Sequence, residues 1–261
     1  MSRTRSAAVA GLFYPADPAQ LHRDIQSMLS AAERSGPAPK ALIVPHAGYV
    51  YSGPVAASAF AQLKQIRQQI TRVILLGPCH RVPLRGLATS SADYFATPLG
   101  NVKIDQSAID SVASLPQVQE FDLTHQQEHS LEVQLPFLQE ALAHFSLVPL
   151  VVGDASAEEV SEVLERLWGG DETLIVISSD LSHYHDYNTA RAMDSETCEA
   201  IEHMNPSAIH YDQACGRNPV NGLLLAAKKH GLQVTTLDLR NSGDTAGDKS
   251  NVVGYGAWAL T

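Results

Sequence analysis

The chain is expected to fold as α/β, with a mostly parallel or mixed central sheet flanked by helices on both faces. Two observations lead there. Short apolar runs alternate with amphipathic helical patterns along most of the 261 residues, the arrangement that builds a sheet between helical layers. Three of those runs also end alike: ALIVPHAGY on His46, VILLGPCHR on His80, and LIVISSDLSHYH on Asp180, His183 and His185. In an open α/β sheet ligands bind beyond the carboxyl ends of the strands, so these side chains are expected to meet at one edge. Imidazoles gathered there suit metal binding or proton transfer.

The elements follow in order. Asp17 and Pro18 open a helix with Leu21, Ile25 and Met28 on one face. Residues 41–45 read as a strand. Behind the Ser-Gly-Pro of residues 52–54, Val55, Ala59, Leu63 and Ile66 repeat at helical spacing. Residues 72–76 repeat the strand pattern, and Pro83, Gly86, Pro98 and Gly100 mark 82–104 as a hairpin or irregular excursion, closed by a helix near 105–114. Leu131, Leu135, Leu138 and Leu142 form a buried helical stripe, with His125, Glu128 and His129 at or before its first turn and Pro136 expected to kink it. The strand SLVPLVVG comes next. A capping box from Ser156 to Glu159 starts a helix with Val160, Leu164 and Leu167 inward, and the strand TLIVISSD follows. Helices continue to Gly231, and the tail gives two strands, VTTLDL and VVGYGAWAL, around the polar loop 241–250.

Length and composition suit a single domain over residues 1–261, with 44% hydrophobic residues. A net charge of -10, with only 18 Lys and Arg spread through the chain, argues against a nucleic-acid partner. No run reaches the length of a membrane helix and the N-terminus lacks a full signal-peptide core, so no membrane partner and a cytoplasmic location are expected. Dinucleotide, P-loop and serine-hydrolase elbow motifs are missing from the sequence.

Cys79, Cys198 and Cys215 lie far apart with no CxxC pair and an odd count, so neither a disulfide framework nor a zinc knuckle is indicated. Cys198 reads as a core residue of a helix. Cys215 precedes Asn218-Pro219, where Asn218 suits an N-cap, and a helix N-terminus nearby would stabilise its thiolate.

The runs PHAGYVYSG, LGPCHRVP, EHSLEVQLPFL, SSDLSHY and CGRNP together resemble the Memo-like proteins, in family order and across nearly the whole chain. The resemblance implies a fold similar to the class III extradiol dioxygenases, which hold non-haem Fe(II) with two histidines and a carboxylate. It implies His46, His80 and Cys215 as metal ligands, with Asp180 and His183 near the position of the dioxygenases' catalytic histidine. A cysteine where those enzymes use a carboxylate shifts the site toward softer donors, so Fe(II) is expected, with copper or zinc as alternatives. The activity implied is a metal-dependent oxidoreductase acting on a small-molecule substrate; the alternative is a non-catalytic metal- or peptide-binding module, since an animal relative is viewed as an adaptor. A radical-SAM protein is the partner implied, because bacterial relatives are often labelled as component B of a system that contains one.

His183 reads as an acid/base oriented by Asp180 three residues earlier. His129, beside Glu128, either enters the pocket toward substrate or serves the helix terminus. His185 reads as a surface or capping residue. His22, His144, His203, His210 and His230 carry no ligand pattern, and Tyr49 and Tyr51 either line the pocket mouth or pack under a loop.

Overall fold

The computed structural model describes residues 2–34 and 36–261. The first half contains β1 (Thr4–Arg5), α1 (Pro18–Ala31), β2 (Ala41–Val44), α2 (Tyr49–Phe60), β3 (Arg72–Pro78), β4 (Leu87–Thr89), β5 (Tyr94–Thr97), β6 (Gly100–Ile104), α3 (Gln106–Val112), β7 (Val118–Glu120) and α4 (Asp122–Gln126). The second half adds α5 (Gln134–Ala141), β8 (Ser146–Val152), α6 (Ala157–Leu167), β9 (Thr173–Ser178), β10 (His183–His185), α7 (Tyr187–Glu202), α8 (Arg217–Lys229), β11 (Val234–Asn241) and β12 (Val252–Leu260).

One sheet runs through the molecule in the order β1-β5-β6-β8-β3-β9-β2-β12-β10, with β11 on β12 and β4 between β7 and β8. Its centre, β8-β3-β9-β2, is parallel, and β12 joins β2 antiparallel. The sheet is therefore mixed, as the sequence indicates. The central strands are buried almost throughout, which is why they read as unbroken apolar runs instead of alternating ones. Helices α1, α2 and α5 pack together on one side; α3, α6 and α8 form a second layer, and α7 lies against β11 and β12. Among the described residues no helix is long and apolar enough to cross a membrane.

Local differences from the sequence reading have physical causes. Helix α2 begins at Tyr49, ahead of Ser52-Gly53-Pro54, so Pro54 lies inside it. The leucine stripe is not one helix: residues 127–133 form turns and α5 starts only at Gln134, with Leu131 reaching the core from a turn. Pro136 consequently falls in the first turn of α5, where its missing N–H breaks no hydrogen bond, and no mid-helix kink arises. Gly216, not Asn218, precedes α8, while the Asn218 amide donates to the Gly153 carbonyl at 2.8 Å.

The N-terminal segment is tied to the turns at 127–133 by a buried carboxylate. Glu132 accepts from the backbone of Ala8 and Val9, from the Tyr14 hydroxyl and from the Arg5 guanidinium. Arg5 donates further to the carbonyls of His125 and Glu128.

Candidate metal centre

Strands β2, β3 and β9 are parallel and lie side by side, so their carboxyl ends share one sheet edge. His46, His80 and Asp180 each stand two residues past the end of one of them. Strand geometry alone thus gathers three polar side chains from three distant parts of the chain. Two glycines permit the close approaches that complete the site. A Cβ on Gly77 would lie 2.8 Å from Ser130 Oγ, and one on Gly216 would lie 2.7 Å from the Ser178 carbonyl oxygen. The turns carrying Glu128–Ser130 and the loop carrying Cys215 therefore press directly onto the strand ends.

His46, His80 and Cys215 bring one donor atom each to within 4.8 Å of one another. Cys215 Sγ lies 3.4 Å from His46 Nε2. The hydrogen bonds fix which nitrogen each ring presents. Ser178 Oγ spends its single proton on the Ser130 carbonyl at 2.6 Å and accepts from the Gln134 amide at 2.8 Å, so its 2.9 Å contact with His46 Nδ1 needs a ring N–H. His46 therefore carries its proton on Nδ1 and turns a bare Nε2 toward the sulfur. At His80 the Glu128 carboxylate takes the Nδ1 proton, accepting from Nδ1 at 2.8 Å and from the His80 backbone N–H at 2.6 Å, so Nε2 is the ring nitrogen left to face a ligand. A carboxylate behind an imidazole is the usual support of a metal-ligating histidine.

The electrostatics agree with neutral donors. Burial, then the nearby His80, pushes His46 down to about 3, so it is uncharged near neutrality. Burial pushes Glu128 upward, but the hydrogen bonds from His80 and from the backbone outweigh it and hold the carboxyl at about 2. Burial and the Asp180 carboxylate push the Cys215 thiol up, contrary to the thiolate expected from a helix N-terminus. Desolvation outweighs the dipole here because the sulfur is enclosed ahead of the first turn of α8.

Asp180 does not orient His183. Its Oδ1 accepts from the His46 backbone N–H at 2.7 Å, and its own N–H donates to Cys215 Sγ at 3.3 Å, so it binds the two loops together. Burial raises its carboxyl. His183 is positioned instead by the Leu181 carbonyl, which takes the Nδ1 proton at 2.8 Å and leaves Nε2 as an acceptor. His183 lines a cavity of about 790 Å³ that His80 and Cys215 also border.

Of the two readings of His129, the geometry places its ring inside the cluster, stacked on His80 at 4.7 Å and edge-on to His46 at 5.4 Å. Its Nδ1 is buried without a hydrogen-bond partner, and burial together with His46 pushes it down to about 4. His185 borders the cavity too, while Asp186 caps α7 in its stead. Tyr49 packs in the core, its hydroxyl on the Val133 carbonyl, and Tyr51 is exposed. Cys198 is buried as expected. His22 and His230 pair with Glu140 and Glu165, and His203 Nδ1 donates to the Glu199 carbonyl of its own helix.

The model of the family described as "Memo-like protein" matches residues 5–259. The chain belongs to the Memo-like family. A "MEMO1 family protein" of Aquifex aeolicus is 36% identical over 264 residues, covering 97% of each chain. Those of Thermotoga maritima and Methanosarcina mazei are 36% and 35% identical, and the alignments cover at least 96% of this chain and 97% of theirs. The crystal structure of the uncharacterized protein JW3007 from Escherichia coli K12 aligns with a TM-score of 0.49 at 14% identity, over 82% of this chain and 98% of that one.

The supporting groups that sequence reasoning missed are Ser178, Ser130 and Gln134, and the link from Glu128 to His80. Their signal was present: each lies within the SSDLSHY or EHSLEVQLPFL run of this Memo-like chain. Glu128→Gln keeps an acceptor for the His80 ring but loses the charge. It is expected to weaken metal binding by roughly 10–100-fold, as second-sphere changes do. Competition with a fluorescent chelator would read the change, and unaltered affinity would show that Glu128 serves the fold alone.

Proposed function

We propose that this Memo-like protein is a metal-dependent oxidoreductase that holds Fe(II), with copper or zinc as alternatives, between His46, His80 and Cys215. Its substrate is a small organic molecule bound in the adjoining cavity. The observation that carries this reading is the pair of imidazoles whose Nδ1 protons are already committed, with one donor atom from each ring and the Cys215 thiol within 4.8 Å of one another. Two neutral imidazoles and a thiolate fit a borderline-to-soft divalent ion or Cu(I), and a thiol held protonated in the metal-free protein yields its proton on binding. When bound, such a metal supplies a Lewis acid and, for iron or copper, a redox couple.

The chain's own groups do the rest. His183, its Nδ1 pinned, accepts a substrate proton at Nε2 from the cavity side. Asp180 keeps the His46 and Cys215 loops in register through its carboxylate and its N–H. His129, neutral and packed on both other rings, offers an uncharged imidazole to the reacting groups. Val82, Leu84 and Val152 give the cavity an apolar wall that limits water.

The test is anaerobic purification without chelator, followed by elemental analysis. Near-stoichiometric iron, copper or zinc is expected in the wild type and not in His46→Ala or His80→Ala. A wild type still metal-free after anaerobic loading with Fe(II) and Cu(I) would sink the proposal. If metal is present, His183→Ala separates catalysis from mere binding, because a binding module needs no proton acceptor.

A further inference from the structure

We infer that Arg217 selects the substrate, and that the substrate class is a small carboxylic acid with an apolar body. The inference rests on the proposed function for the location of the reacting end. Arg217 opens α8 two residues after Cys215 and lines the 790 Å³ cavity. Among the described residues it is the permanent cation of that lining, and no carboxylate pairs with it. An arginine that no carboxylate occupies and that faces a cavity is free to take an anion from outside through its forked N–H donors.

Its guanidinium carbon lies 5.5 Å from the centroid of the Tyr211 ring. An aromatic contact of this kind limits the movement of the guanidinium without using its N–H donors, and a forked guanidinium binds a carboxylate through two parallel hydrogen bonds. The remaining lining sorts the anion further. Val82, Leu84, Val152 and Pro219 offer apolar surface for a hydrocarbon or aromatic body. Asp154 and Asp212, both exposed, place negative charge at the rim, which disfavours a polyphosphate but is screened enough to admit one carboxylate. With Arg217 and Cys215 only two residues apart on the chain, a carboxylate held by Arg217 keeps the rest of the molecule near the proposed metal ligands.

The test measures direct binding to the full-length protein, both metal-loaded and dialysed free of metal. The probes are benzoate, 4-hydroxyphenylacetate and indole-3-propionate, each against its neutral carboxamide, followed by ligand-observed NMR and calorimetry. At least one acid is expected to bind tenfold or more tightly than its amide in both preparations. Arg217→Met should abolish that preference without changing metal content or thermal midpoint, and Arg217→Lys should restore only part of it. Equal affinity for every acid and amide, no binding by any acid, or a preference that survives Arg217→Met would overturn the inference. Acid preference in a wild type that takes up no metal would overturn the metal proposal and leave this one standing. Metal uptake without acid preference would do the reverse.

Discussion

Glu132→Ala is expected to destabilise the protein by about 3–5 kcal/mol, the range for removing one partner of a buried ion pair. The carboxylate accepts the Ala8 N–H at 2.8 Å, the Val9 N–H at 3.0 Å and the Tyr14 hydroxyl at 2.6 Å, besides the buried Arg5 guanidinium. Alanine would leave a buried charge uncompensated and three donors unpaired. Because whole domains carry only about 5–15 kcal/mol, this is a large share of the total. Arg5 also holds the His125 and Glu128 carbonyls at 2.9 and 2.7 Å, so weaker metal binding should accompany the loss. Urea unfolding at neutral pH reads the change. A cost below about 1 kcal/mol, the size of an ordinary exposed pair, would show that the N-terminal segment is not anchored here.

Cys215→Ser is expected to remove metal binding by more than the roughly 10–100-fold of a second-sphere change, with little effect on folding. Serine occupies less space than cysteine and can accept the Asp180 N–H, so the loop's contact with Asp180 persists in form. What it lacks is a donor that ionises near neutrality. The thiol, although pushed up by burial, can be deprotonated by an arriving cation, whereas an alcohol needs a far stronger one. Chelator competition beside a thermal melt distinguishes the outcomes. Unchanged affinity with an unchanged melt would mean that the sulfur is not a ligand.

Much of this was legible in the sequence because the central strands are parallel and buried on both faces. Such strands must be continuous apolar runs, and their carboxyl ends must carry the polar residues, so His46, His80 and Asp180 stood out at once. The supporting network was less visible. Ser178 and Gln134 look like ordinary polar residues until the tertiary fold sets a hydroxyl between an imidazole and an amide. The role of Asp180 was misread for a related reason. Three residues of separation suggested His183, but the hydrogen-bond partners of Asp180 come from the loops after β2 and before α8. Helical spacing misled at Leu131, since a turn can bury a leucine at the same interval as a helix does.

X-ray absorption at the edge of the bound metal, on anaerobically loaded protein, tests the central claim most directly. The account predicts one sulfur scatterer together with the multiple-scattering signature of two imidazoles, and loss of the sulfur shell in Cys215→Ser. A shell of oxygen and nitrogen alone in the wild type, with no sulfur, would contradict it.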